Sequence, residues 1–209
     1  MDLKDQRVDY NKFELLEDHA GNNPFDLFAR WFEDAKQTEP EPNIMTISTA
    51  DNNHPQTRIV LLKEVLNEEF IFYTNYLSAK GKALAHNPNI SILFFWGQQQ
   101  RQVRIDGTAT KVSADMSDEY FYSRPVESQI GAIASTQSAP MKNREELDTK
   151  YQELTEFYKS NPIKRPEHWG GYAIKPHTFE FWQGRASRLH DRLVYTDQNG
   201  QWVRSRLYP

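Results

Sequence analysis

Not one cysteine occurs in the 209 residues, which excludes disulfides, thiolate metal sites and a cysteine nucleophile and fits a reducing compartment. No apolar run approaches the roughly 20 residues that a membrane-spanning helix needs. Met1-Asp-Leu-Lys-Asp5 has neither the basic start nor the apolar centre of a secretion signal. A basic excess is missing too: 25 Lys and Arg against 29 Asp and Glu leave a formal charge of -4. That balance argues against nucleic acid or a membrane surface as the partner, so cations that matter must be local. Neither a glycine-rich dinucleotide fingerprint nor a P-loop is found, and no serine-hydrolase pattern either. His54, His86, His168 and His177 are scattered without metal-ligand spacing, and the expectation is no metal site. There is no repeat and no low-complexity tract. These absences leave a cytoplasmic protein with a small-molecule partner.

What is present is patterned. The length suits one sizeable domain, and 13% aromatic residues suit a bulky core or a flat ligand. Residues 1–22 are polar and read as a flexible segment in which Arg7 and Tyr10 place a cation and a phenol three apart; residues 23–209 read as a single domain. Asn23-Pro24 marks a helix start, and Phe25, Phe28, Trp31, Phe32 and Ala35 form an apolar stripe at helical spacing. Strands are expected from Ile44 to Thr49, Thr57 to Lys63, Phe70 to Thr74, Ile90 to Trp96, Gln102 to Val112 and Trp202 to Pro209, with a hairpin at Gln198-Asn-Gly-Gln201. Four consecutive aliphatics after Arg58 predict a strand covered on both faces, with Arg58 and Lys63 facing opposite ways. Further helices are expected after Ser78, from Ser113 to Arg124-Pro125, and from Arg144 to Tyr158 with Leu147, Tyr151, Leu154 and Tyr158 on its apolar side. Asn161 to Gly171 reads as a long irregular connection.

Several clusters in this acidic chain attract anions. Alternation through Phe179, Phe181, Leu189, Leu193 and Tyr195 predicts two strands joined at Gly184, with Arg188, His190 and Arg192 on one face of the second. That ladder is either a solvated face or the wall of an anion site. The helix start after Ser78 offers free N–H groups, with Lys80 and Lys82 beside them. Tyr120, Arg124 and Ser128, four apart, would align a phenol, a guanidinium and a hydroxyl on one helical face, all able to donate to a phosphate.

The ordered motifs Arg58-Ile-Val-Leu-Leu-Lys63, Phe72-Tyr-Thr-Asn75, Arg101-Gln-Val103, Ser123-Arg-Pro125, Ser128-Gln-Ile-Gly131, Gln137-Ser138, Trp169-Gly-Gly171, Phe181-Trp-Gln-Gly184, Arg188-Leu-His-Asp-Arg192 and Arg206-Leu-Tyr-Pro209 resemble the pyridoxamine/pyridoxine 5'-phosphate oxidases. The resemblance runs from about Arg7 to Pro209. It implies a mainly β protein with flanking helices (α+β), an FMN-binding split β-barrel that is a homodimer with FMN sites at the subunit interface. The implied reaction oxidises pyridoxamine 5'-phosphate and pyridoxine 5'-phosphate to pyridoxal 5'-phosphate, with O2 as electron acceptor. By position, Arg58, Ile59, Val60, Leu61, Leu62, Lys63, Tyr73, Thr74, Lys80, Gln102, Gln137, Ser138, Trp182 and Arg192 match the family's FMN contacts, some reaching across the dimer. Arg7, Tyr10, Lys63, Tyr120, Arg124, Ser128, Arg188, Leu189 and His190 match its substrate contacts, with Arg188 and His190 nearest the chemistry. Family members commonly carry a basic residue where this chain has Ala79, and Lys82 is the candidate to stand in for it.

Overall fold

The computed structural model describes residues 1–5 and 8–209 and is organised around one antiparallel sheet. Nine strands lie among the described residues: β1 (Ile44–Asp51), β2 (His54–Leu61), β3 (Glu64–Leu66), β4 (Glu69–Asn75), β5 (Asn89–Trp96), β6 (Arg101–Lys111), β7 (Trp169–Gln183), β8 (Asp191–Gln198) and β9 (Gln201–Leu207). Their order is β2-β1-β5-β6-β7-β4-β3, with β8 on β7 and β9 on β8. The length of β7 allows this branching. Its first half, from Trp169 to Ile174, pairs with β4, and its second, from Thr178 to Gln183, pairs with β8. Between β2 and β3 the chain passes from β1 to β4: Leu62 N–H donates to Asn43 O and Lys63 N–H to Ile71 O, each at 2.9 Å. That crossing closes the barrel. The hairpin turns carry the chemistry they need, Asn52 and Asn53 in one and Asn199 and Gly200 in the other all having positive φ.

The first long helix, α2 (Pro24–Lys36), follows a short α1 (Glu17–Ala20). Asn23 caps it, its side chain accepting from Phe25 N–H at 2.9 Å. The expected stripe faces the core: the Phe28 ring lies 5.0 Å from Phe70 and 5.3 Å from Phe94, and Trp31 lies 5.3 Å from Phe181. The other helices are α3 (Ala79–His86), α4 (Ala114–Ser123), α5 (Val126–Ala134) and α6 (Arg144–Phe157). Serine caps start α3 and α4, as expected: Ser78 accepts from Gly81 N–H and Ser113 from Met116 N–H.

The boundary expected at residue 22 is not where packing begins. Asn11 and Lys12 N–H both donate to Gln100 Oε1, Leu15 N–H donates to Asp191 Oδ2, and Leu15 is 3% exposed. Arg206, on β9, binds the Glu17 carboxylate at 2.7 and 2.9 Å and Asp191 at 2.9 Å. Its hydrogen bond holds the Glu17 pKa down at about 2. Arg7 lies outside the described residues.

Three other expectations change. The aliphatic run after Arg58 is not covered on both faces within one chain, since Ile59 is 66% exposed and β2 pairs with β1 alone in the strand order. Trp169, Gly170 and Gly171 begin β7 instead of ending the connection before it. The alternation from Phe179 to Tyr195 is interrupted, because β7 stops at Gln183 and β8 begins at Asp191.

Candidate active site

The main cavity, about 880 Å³, opens between β2, the end of β4, the start of α3, the α4–α5 corner and the loop after α5. That volume is within the usual range for a cofactor or small-molecule site. Arg58, Lys63, Lys80 and Arg124 line it, and among the described residues no carboxylate does. Ile59, Val60, Leu61, Tyr73, Thr74, Gln137, Ser138, Tyr120 and Ser128 complete most of the wall. Leu62, expected with its neighbours, is 6% exposed and belongs to the core.

Two pieces of local geometry bring these groups together. Arg58 and Lys63 share the cavity, contrary to the alternation argument, because β2 ends at Leu61 and the step across to β4 breaks the period. Tyr120, Arg124 and Ser128 do not sit on one continuous helix: Arg124 is extended (φ -77, ψ 151) ahead of Pro125, which separates α4 from α5. All three still line the cavity. The corner aims the guanidinium inward, and Arg124 Nη1 is buried with no hydrogen-bond partner among the described residues. Burial pushes the Arg124 pKa down, with Tyr120 opposing, and burial lowers Arg58 as well.

Lys80 is 7% exposed; its Nζ lies 3.1 Å from Thr74 Oγ1 and 3.3 Å from Gln137 Oε1. All its bonded partners are neutral, and burial first, then Arg58, lowers its pKa to about 8. Burial disfavours the charge, and a bound anion would restore it. Lys82, the expected substitute beside Ala79, is exposed and not among the lining residues, whereas Ala79 is. The Lys80 shift has a signed consequence for stability. Between about pH 8 and the unfolded value of 10.5, the unfolded chain binds the proton that the folded chain has released, so stability rises with pH. In ligand-free protein, the stability deficit of wild type relative to Lys80→Met should shrink as pH climbs through that window. A flat difference in thermal midpoint would contradict it.

The remaining expected residues form a second group outside the cavity. Gln102, Trp182 and Arg192 are register partners across β6, β7 and β8. Trp182 lies 4.5 Å from the His190 ring, and Tyr10 packs beside both at 5.8 and 6.0 Å. The ladder of Arg188, His190 and Arg192 on one strand is corrected: Arg188 ends a 3-10 turn from Ala186, with positive φ at Ser187 and Arg188, and only Arg192 lies in β8. The Arg185 N–H donates to His190 Nδ1 at 3.0 Å and folds the loop back on itself. Arg188 and Leu189 are exposed. Arg192 is already paired: its Nε donates to the buried Glu180 at 2.8 Å and its Nη1 to Tyr208 O at 2.9 Å. The His190 pKa is lowered, by burial first and then by Arg188, against Asp191.

Trp169, which lines the cavity, had no role in the sequence reading; its motif was visible, but nothing in it indicated a side chain turned towards Arg124.

Residues 32–158 match the family model described as pyridoxamine 5'-phosphate oxidase. Residues 169–209 match the one described as the pyridoxine 5'-phosphate oxidase C-terminal dimerisation region. A pyridoxine/pyridoxamine 5'-phosphate oxidase from Bordetella petrii is 51% identical over 212 residues, covering 100% of each chain. One from Leptospira biflexa is 48% identical over 210 residues, covering 100% of this chain and 99% of the relative. Among solved structures, PhzG from Burkholderia lata in complex with tetrahydrophenazine-1-carboxylic acid superposes with a TM-score of 0.86 at 28% identity, covering 93% of this chain and 98% of that one.

Proposed function

The chain belongs to the pyridoxamine 5'-phosphate oxidase family, and from that premise we propose that it oxidises pyridoxamine 5'-phosphate and pyridoxine 5'-phosphate to pyridoxal 5'-phosphate, with FMN as cofactor and O2 as final acceptor. One observation carries this reading: in a chain of net charge -4, four cations and, among the described residues, no carboxylate line one cavity. Such a wall suits ligands with negatively charged tails. The residues present fit FMN. Among the described residues the buried Lys80 has no carboxylate partner, and β2 has an outer edge whose N–H and C=O groups suit a flat polar ring.

In the proposed arrangement Lys80, Arg58, Thr74, Gln137 and Ser138 take the cofactor phosphate, and Ile59 to Leu61 flank the ring. Lys63, Tyr120, Arg124 and Ser128 take the substrate phosphate. FMN, when bound, supplies a hydride acceptor for the substrate C4' hydrogen and passes the electron pair to O2, which leaves as H2O2. The product is an aldehyde, released from the amine substrate with ammonia after addition of water. The contribution of the second group is orientation. His190 accepts at Nδ1 from a backbone amide, and its lowered pKa keeps the ring neutral at pH 7, so its proton is held at Nε2 as a donor. Arg188 adds positive charge beside it.

The second group lines no part of the cavity of its own chain, and its Trp182, Arg188, His190 and Arg192 lie in the segment matched by the dimerisation region. We infer a homodimer in which it completes the partner's cavity, covering exposed apolar groups such as Ile59, Phe95 and Leu189. Among the described residues no helix is long and apolar enough to cross a membrane, and a cytoplasmic location is part of this proposal.

PhzG suggests a second reading, an oxidase of another flat aromatic. A cavity for such a substrate needs no phosphate-binding stripe, and here Tyr120, Arg124 and Ser128 all face it. A protein that only held flavin, without turnover, would have no use for that second anion pocket either. Purified protein should be yellow and should convert pyridoxamine 5'-phosphate in air to pyridoxal 5'-phosphate, followed by absorbance, with peroxide formed. Colourless protein that stays inert after FMN is added would end the oxidase reading.

A further inference from the structure

We propose that Trp169 is a positioning residue for the substrate phosphate, its indole face holding the Arg124 guanidinium at the cavity wall; this rests on the oxidase reading above. The Arg124 Cζ lies 4.8 Å over the Trp169 ring. A π face attracts a cation without using its N–H groups, which point outward in the guanidinium plane and stay free for an oxyanion. That accounts for a guanidinium whose buried Nη1 makes no hydrogen bond among the described residues.

Trp169 is itself well anchored. It is 7% exposed, its backbone N–H donates to Pro166 O at 3.0 Å, and its carbonyl accepts from Arg165 Nη1 at 2.7 Å. Arg165 also binds Asp118 of α4 at 2.7 Å, tying the start of β7 to the helix that Arg124 directly follows. Three rings lie nearly parallel: Tyr73 and Trp169 at 13°, Tyr120 and Trp169 at 6°, and Tyr73 and Tyr120 at 19° with centroids 3.9 Å apart. Gly171 permits the stack, because a Cβ there would lie 2.8 Å from Tyr73 Cε1. On the other side, Arg124 is turned out of its helix by Pro125, and its carbonyl is held by Gln129 Nε2 at 2.8 Å. Backbone geometry thus delivers the cation to the ring from both partners. The competing explanation is that Trp169 only fills space.

A double-mutant cycle on the full-length protein separates the two, using Trp169→Leu, Trp169→Phe, Arg124→Ala and the combined Trp169→Leu/Arg124→Ala variant. The readings are the dissociation constants of pyridoxal 5'-phosphate and of FMN by equilibrium titration, with KM and kcat beside them. Trp169→Leu should weaken pyridoxal 5'-phosphate binding about tenfold and raise KM to match, with FMN affinity and kcat within about twofold. Trp169→Phe, which keeps a π face, should lose less than about threefold, and in the Arg124→Ala background the Leu substitution should add less than about twofold. Equal losses for Phe and Leu, equal losses of FMN and product, or an undiminished tenfold effect without Arg124 would each overturn the proposal. Should the Leu variant not fold, Trp169→Phe and Trp169→Tyr against Arg124→Ala carry the same comparison. Wild-type protein that binds pyridoxal 5'-phosphate but oxidises nothing would overturn the oxidase reading alone, and the cycle would still decide the role of Trp169. Wild-type protein that binds none would overturn both.

Discussion

Replacing Gly81 by alanine is expected to lower the thermal midpoint by roughly 4–8 °C, although alanine is the better helix former. A Cβ at this position would stand 2.2 Å from the Tyr76 carbonyl oxygen, 2.5 Å from its carbon and 2.7 Å from its Cα. These are backbone atoms with nowhere to go. Tyr76 N–H is bonded to His168 O at 2.7 Å, and Asn75 accepts from Leu77 N–H at 2.8 Å and from the Ser78 hydroxyl at 2.7 Å. Overpacking of this kind costs about 3 kcal/mol, against a helix-propensity gain of about 1 kcal/mol, so the clash wins. Because Gly81 follows Lys80 in the first turn of α3, any relief by backbone movement displaces the Lys80 ammonium from Thr74 and Gln137, and FMN titration should show weaker binding as well. Gly131, in α5, is the matched control: nothing lies within 4 Å of its Cβ position, and Gly131→Ala should raise the midpoint by about 2–4 °C. A Gly81→Ala protein that melts at or above the wild-type temperature would mean that the α3 start is not packed as described.

Arg124→Ala should lower kcat/KM for pyridoxamine 5'-phosphate about a hundredfold, most of it in KM, as expected for losing charge-assisted hydrogen bonds to a phosphate. FMN affinity should change little, because Lys80, Arg58, Gln137 and Ser138 approach the cavity from other elements. Stability should move the other way from most truncations of partly buried side chains. In the ligand-free protein the guanidinium is desolvated enough to lower its pKa, and its buried Nη1 makes no hydrogen bond among the described residues, so its removal should leave the midpoint unchanged or higher. Pyridoxal 5'-phosphate should raise the wild-type midpoint and not that of the variant. A variant that loses FMN and substrate affinity in equal measure would show that the phosphate subsites have been assigned wrongly.

Much of the architecture was legible because its causes are local. Asn23-Pro24, Ser78 and Ser113 announce helix starts through the side-chain oxygens that their first-turn N–H groups need, and each cap is found. Asn199-Gly200 announces its hairpin because both residues must adopt positive φ. Strand interiors followed from period two wherever both neighbours were present, as in Val103 and Ile105, each 0% exposed. The alternation argument failed at Arg188 and His190 for an equally physical reason. A short stretch can alternate by accident, and neither its patterning nor its charge reveals that a 3-10 turn with two positive φ values intervenes. The helical-stripe argument reached the right residues by the wrong geometry, since Tyr120, Arg124 and Ser128 meet at a corner made by Pro125.

By itself the sequence determined the helices α2, α3, α4 and α6, most strands, the hairpins and, through its ordered motifs, the family, because each depends on neighbours a few residues away or on residue order alone. Which cations share a cavity was decided only by tertiary structure. Arg58 and Lys63 converge because the chain steps from β1 to β4 between them, and Arg192 is taken up by Glu180 from the adjacent strand. Lys80 sheds part of its affinity for protons because burial strips its water. Each of these outcomes depends on which distant segment arrives alongside, and the energy of a charge is set by those arrivals and not by its place in the chain.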